Sequence, residues 1–130
     1  MPATRHIQRV VHTEDLVGES PIWCPQEQAL YWVDVRGCWL HRWEPETGLR
    51  HDWPMPDVIG CIALREGGGL LVAQGVSLCT FDTETGALEV FATLEEGRSD
   101  LRINDGACDP QGRIWVGTMT HNFGGPGGSD

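Results

Sequence analysis

The 130-residue chain carries 19 acidic and 9 basic side chains, a formal charge of −10. Hydrophobic residues at 40% and charged residues at 22% exclude a disordered chain. No apolar run approaches the roughly 18 residues of a membrane span, and an acidic chain without a basic stripe argues against nucleic acid as the main partner.

At the N-terminus, Arg5 and Arg9 lie in a stretch with no apolar segment, so no secretory signal is expected. Residues 5 to 12 read as a lone N-terminal strand. Short apolar runs follow: Ala29 to Val33, Cys61 to Leu64, Leu70 to Ala73 and Arg113 to Val116. Each has strand length and is bounded by Gly, Pro, Asp or Asn. No stretch reads as a convincing helix.

An internal repeat orders these strands. Leu40-His41-Arg42-Trp43-Glu44-Pro45-Glu46-Thr47-Gly48 aligns with Leu78-Cys79-Thr80-Phe81-Asp82-Thr83-Glu84-Thr85-Gly86 at an offset of 38, which also pairs Gly37 with Gly75. The pattern describes a strand ending in a tight turn, with Gly supplying a positive φ. A second match, at an offset of 44, joins Gly68 to Ala73 with Gly112 to Gly117. Repeats of about 40 residues built from short strands indicate β-propeller blades. The expected fold is therefore all-β, with about two and a half blades in this chain. Blade 1 spans about Glu19 to Asp57, blade 2 about Val58 to Ser99, and partial blade 3 about Asp100 to Thr120. A Gly-rich tail runs from His121 to Asp130.

Several chemistries are absent. All nine basic residues are Arg, which removes Schiff-base lysines, lysine general bases and Walker A loops; codon bias explains the missing lysines equally well. Cys24, Cys38, Cys61, Cys79 and Cys108 form no C-x-x-C pair and read as buried thiols in a reducing compartment. The six Trp residues read as blade packing, with a sugar-stacking platform the alternative for one of them.

Two segments remain as candidate sites. Glu19 sits between Gly18 and a Ser-Pro turn at the entry to a strand. It reads either as a turn-capping carboxylate or as a hard oxygen ligand pointing into a propeller channel. Arg102 and Asn104 lie two apart, so on a strand they share a face and offer a forked cation and an amide to an oxygen-rich ligand. Asn104-Asp105-Gly106 reads equally as a turn. Asp109-Pro110-Gln111-Gly112 reads as a hairpin turn.

Gly18 to Trp23, Leu30 to Asp34, Arg102 to Gly106, Asp109 to Arg113 and Gly117-Thr118-Met119, in this order and spacing, resemble the N-terminal part of the gluconolactonase and regucalcin family. That family is also called the senescence-marker-protein or luciferin-regenerating-enzyme family. The resemblance implies a six-bladed propeller, a divalent metal ion (Ca, Zn, Mn, Mg or Fe) in the central channel, and hydrolysis of sugar lactones to aldonic acids. It implies that Glu19 is a metal ligand and that Arg102 and Asn104 hold the substrate. Asn122 falls where relatives place a further substrate-contacting Glu. The family's other metal ligands, and its general base, have no counterpart in these 130 residues. The expected function is thus that of a fragment of a cytoplasmic, metal-dependent sugar lactonase, inactive as this chain alone. The alternatives are a non-catalytic calcium- or ligand-binding regulatory propeller and a protein-binding scaffold. Neither nucleic acid nor membrane is an expected partner.

Overall fold

The computed structural model describes residues 5–121. Ten strands make up all of its regular structure. Those of the first sheet are β1 (Gly18–Cys24), β2 (Ala29–Asp34), β3 (Trp39–Trp43) and β4 (Arg50–Pro54). The second contains β5 (Ile59–Leu64), β6 (Leu70–Gln74), β7 (Ser77–Phe81) and β8 (Leu88–Thr93). The third is the hairpin β9 (Leu101–Cys108) and β10 (Ile114–Thr120). All pairings are antiparallel between chain neighbours. No described helix is long and apolar enough to cross a membrane.

The repeated turns behave as their sequence dictates. Gly48 (φ 75°) and Gly86 (φ 77°) each close a turn by donating N–H to the carbonyl of Glu44 and Asp82, at 2.8 and 2.7 Å. The earlier Gly pair does not match. Gly75 is left-handed (φ 55°), but in the first sheet it is Cys38 (φ 59°), not Gly37, that takes this conformation. Gly37 is needed for space instead: a Cβ there would lie 2.1 Å from Asp34 Oδ2.

The first strands of the three sheets, β1, β5 and β9, are successive neighbours, with β5 in the middle. One apolar core lies between the first two sheets. It contains Tyr31, Val33, Leu40 and Trp53 from one side and Ile62, Leu70, Val72 and Phe81 from the other. Trp53 meets Phe81 edge-on at 5.4 Å. A smaller core of Cys61, Ala73, Leu78 and Ile103 joins the second sheet to the third. Each fully buried side chain of this kind contributes about 1.5–3 kcal/mol.

Three expectations need correction. His6 to His12 is not a strand, because strand hydrogen bonds need a partner and no described segment supplies one; Ile7 and Val10 are exposed. Asn104-Asp105-Gly106 is not a turn but lies within β9. Trp23, Trp39 and Trp115 are only partly packed, being 43%, 39% and 63% exposed among the described residues.

Candidate functional site

Each inner strand carries a bulge at the same place. In β1, Glu19 pairs with Val33 and Ile22 with Tyr31, so Ser20 and Pro21 oppose Trp32 alone. In β5, Gly60 is the extra residue, between Ile59 and Cys61. In β9, Ile103 pairs with Thr118 and Asp105 with Gly117, which leaves Asn104 as the extra residue. Bulges of this kind redirect side chains beside functional sites. Pro21 cannot donate to the ladder, and Ser20 takes φ 56°, so the local sequence accounts for the first bulge. Ser20 Oγ then accepts the Ile62 N–H at 3.3 Å, fastening β1 to β5.

The bulges in β1 and β9 flank one open cavity of about 530 Å³, lined by Val17, Glu19, Val35, Arg36, Arg102, Asn104 and Met119. The structure thus brings Glu19, Arg102 and Asn104 together from segments more than 80 residues apart. Glu19 and Asn104 are exposed to the cavity, whereas Arg102 is only 6% exposed. Asn122 lies outside the described residues.

Arg102 is fixed from beneath. Its Nη1 donates to the Ile103 carbonyl at 3.2 Å. Burial pushes its guanidinium pKa down, and the Glu19 carboxylate partly offsets this. Gly60 makes that arrangement possible: a Cβ there would lie 2.1 Å from the same carbonyl oxygen.

The entry to β1 is fixed by Asp34. Its carboxylate accepts the N–H groups of Leu16, Val17 and Gly37, each at 3.0 Å. Burial raises its pKa, but these three bonds outweigh burial and hold it below the usual carboxylate range. Val35 N–H also donates to Val17 O at 2.9 Å. Glu19 therefore leaves a segment held by three of these bonds, while the fourth ties Asp34 to the β2–β3 loop.

The chain matches the model of the SMP-30/Gluconolactonase/LRE-like region over residues 17–129. It belongs to that family. It is 38% identical to the 6-deoxy-6-sulfogluconolactonase of Pseudomonas putida over 110 residues, covering 85% of this chain and 38% of the relative. It is 35% identical to regucalcin of Xenopus laevis over 117 residues, covering 90% of this chain and 39% of that protein. The crystal structure of the calcium-binding protein regucalcin from Agrobacterium tumefaciens superposes with a TM-score of 0.79 at 30% identity, covering 84% of this chain and 37% of that one. The chain thus spans under two-fifths of the length of these relatives. The ten strands are part of an all-β propeller.

An ion site is not complete within these residues. Among the described residues, no three of His, Cys, Asp and Glu converge to hold a metal. The cavity offers one carboxylate and one side-chain amide, whereas hard divalent cations take six or more oxygen ligands.

Arg36 and Met119 line the cavity although sequence reasoning passed over them. Met119 lies directly opposite Arg102 across the β9–β10 hairpin, which the Gly-Thr-Met motif could have signalled. Arg36 sits in the β2–β3 loop, where no spacing rule marks it.

Proposed function

We propose that the whole protein to which these residues belong hydrolyses a sugar lactone to the aldonic acid. The observation that carries this reading is the meeting of Glu19, Arg102 and Asn104 on one cavity wall. The lactonase named among its relatives supports it. Water adds to the lactone carbonyl carbon, the ring C–O bond breaks, and a hydroxy acid leaves. Arg102, buried and permanently charged, stabilises the oxyanion that develops on the carbonyl oxygen. Asn104 donates its amide N–H groups to ring or hydroxyl oxygens and orients the sugar. Asn122 contributes a further neutral contact. Glu19 would be a ligand for a divalent cation, which would supply Lewis-acid chemistry at the lactone carbonyl and would need further ligands from outside the described residues.

Two further assignments go with this reading. The three sheets correspond to blade 1 (about 19–57), blade 2 (about 58–99) and part of blade 3 (about 100–120). The protein works in the cytoplasm, in keeping with five unpaired thiols.

The test is lactone hydrolysis by the whole protein, followed by acid release at constant pH. Arg102→Ala should lower kcat/KM by roughly 10²–10³-fold, the loss expected for an oxyanion donor. Glu19→Gln should abolish turnover that depends on added divalent metal. Full activity in both variants would overturn the assignment.

A further inference from the structure

The cavity wall is electropositive in an acidic chain. The sequence carries a formal charge of −10. Yet the described lining holds two guanidinium groups, Arg36 and Arg102, against one carboxylate, Glu19. The two cations are not equivalent. Arg102 is buried, bonded to the Ile103 carbonyl and within the field of Glu19. Arg36 is exposed, at the cavity edge in the β2–β3 loop. Among the described residues, its guanidinium has no hydrogen-bond or ion-pair partner.

The nearest acid in sequence does not neutralise it. Asp34, two residues earlier, commits its oxygens to the N–H groups of Leu16, Val17 and Gly37. Those bonds also fix the loop's first turn, and Cys38, left-handed at φ 59°, closes its far end. Arg36 thus stands on a short, anchored loop with a planar five-donor fork facing an open cavity. That geometry suits a carboxylate or a phosphate.

We propose that the cavity takes a sugar acid or lactone bearing a second anionic group away from the reacting carbonyl, with Arg36 as the residue that selects it. This rests on the lactonase reading for the substrate skeleton. In that skeleton the carbonyl end belongs to Arg102 and Asn104, and the distal substituent reaches Arg36.

Calorimetric titration of the whole protein with gluconate, glucarate and 6-phosphogluconate tests binding without turnover. At least one doubly anionic probe should bind about tenfold or more tightly than gluconate, and which one does so identifies the group as carboxylate or phosphate. Arg36→Ala should erase that ratio, Arg36→Lys retain part of it, and Arg36→Glu invert it. The residue lies in an exposed loop, and circular dichroism of each variant verifies the fold. In parallel, kcat/KM is compared for gluconolactone and its 6-phosphate. A ratio near one in the wild type, or a ratio that Arg36→Glu leaves alone, overturns the proposal. Hydrolysis of gluconolactone without an Arg36-dependent ratio rejects this inference and leaves the lactonase reading standing. Arg36-dependent binding without hydrolysis does the reverse.

Discussion

The first two sheets share strand order and turns, and differ on one face. In the first sheet, Trp32, His41 and Asp52 form a row across β2, β3 and β4. The corresponding row in the second sheet is Val72, Cys79 and Val90. Val72, at the inner end of that row, belongs to the core between the two sheets, Cys79 is buried, and Val90 at the outer end is exposed. The row on the first sheet has no described sheet over it and meets the chain entering β1 instead. His41 Nε2 lies 2.8 Å from Asp15 Oδ1, its Nδ1 bonds Asp52, and Trp32 Nε1 donates to Asp15 Oδ2 at 3.0 Å. Arg50 Nε donates to Asp52 at 2.9 Å. The same strand framework therefore carries a mainly apolar row on the second sheet, and on the first a polar clasp that holds the segment leading to Glu19.

Breaking the covered face should have the largest effect. Phe81→Ala removes a side chain 2% exposed and its edge contact with Trp53. A loss of about 3–5 kcal/mol is expected, measured by urea denaturation. A loss under about 1 kcal/mol would mean that the two sheets are not held by this core. Gly60→Ala comes next. The new Cβ would press on backbone, the Ile103 carbonyl, which cannot turn away as a side chain can. Overpacking of this kind costs about 1–3 kcal/mol. Its sharper readout is the site: lactone turnover should fall by more than the fraction unfolded, because Arg102 is bonded to that carbonyl. Turnover that only tracks the folded fraction would separate Gly60 from the site.

Much of this architecture is legible in the sequence, for a local reason. The Glu-Thr-Gly turns and short apolar runs encode hairpins, whose contacts are between chain neighbours. The approach of Glu19 to Arg102 and Asn104 is not local, and entered only through the resemblance of whole motifs. The bulges are intermediate. Pro21 and Gly60 are residues that disfavour a regular ladder, and each marks one. Asn104 gives no such sign and reads as well as a turn. Arg36 was illegible because a loop residue is marked by what the loop faces, which depends on the fold of β9. The partner of His41 is equally silent: Asp15, 26 residues away, has no spacing that announces it.

The clasp on the first sheet can be converted toward the second. His41 bridges Asp15 and Asp52 through its two ring nitrogens. His41→Cys, the residue found at the matching place on β7, removes both bonds and leaves Asp15 Oδ1 without its ring partner, with Thr13 and Trp32 still donating to Oδ2. A destabilisation of about 1–3 kcal/mol is expected for stranding buried polar partners. Amide exchange should show protection lost first at Leu16 and Val17, ahead of the core strands. Uniform loss across both sheets would show that His41 supports the core and not the clasp.

The smallest effect distinguishes the two faces by acid. Asp34 and Asp52 both lie on the first sheet, and both carboxyls are held below their ordinary pKa. For Asp52, burial acts upward and the bonds from His41 and Arg50 outweigh it. A depressed folded pKa means that the unfolded chain binds protons first as pH falls. The stability these groups contribute is therefore complete above the unfolded value of about 3.9 and is lost as pH drops through the lower folded values. The row of Val72, Cys79 and Val90 contains no carboxylate and adds nothing to this slope. The urea midpoint should hold between pH 7 and 5 on account of these groups and decline below about pH 4. Asp34→Asn should start lower at pH 7, since an amide has one accepting oxygen for three N–H donors, and then decline less steeply in acid. An equal acid slope in wild type and variant would remove Asp34 from the clasp, and place the acid sensitivity elsewhere among the 19 carboxylates.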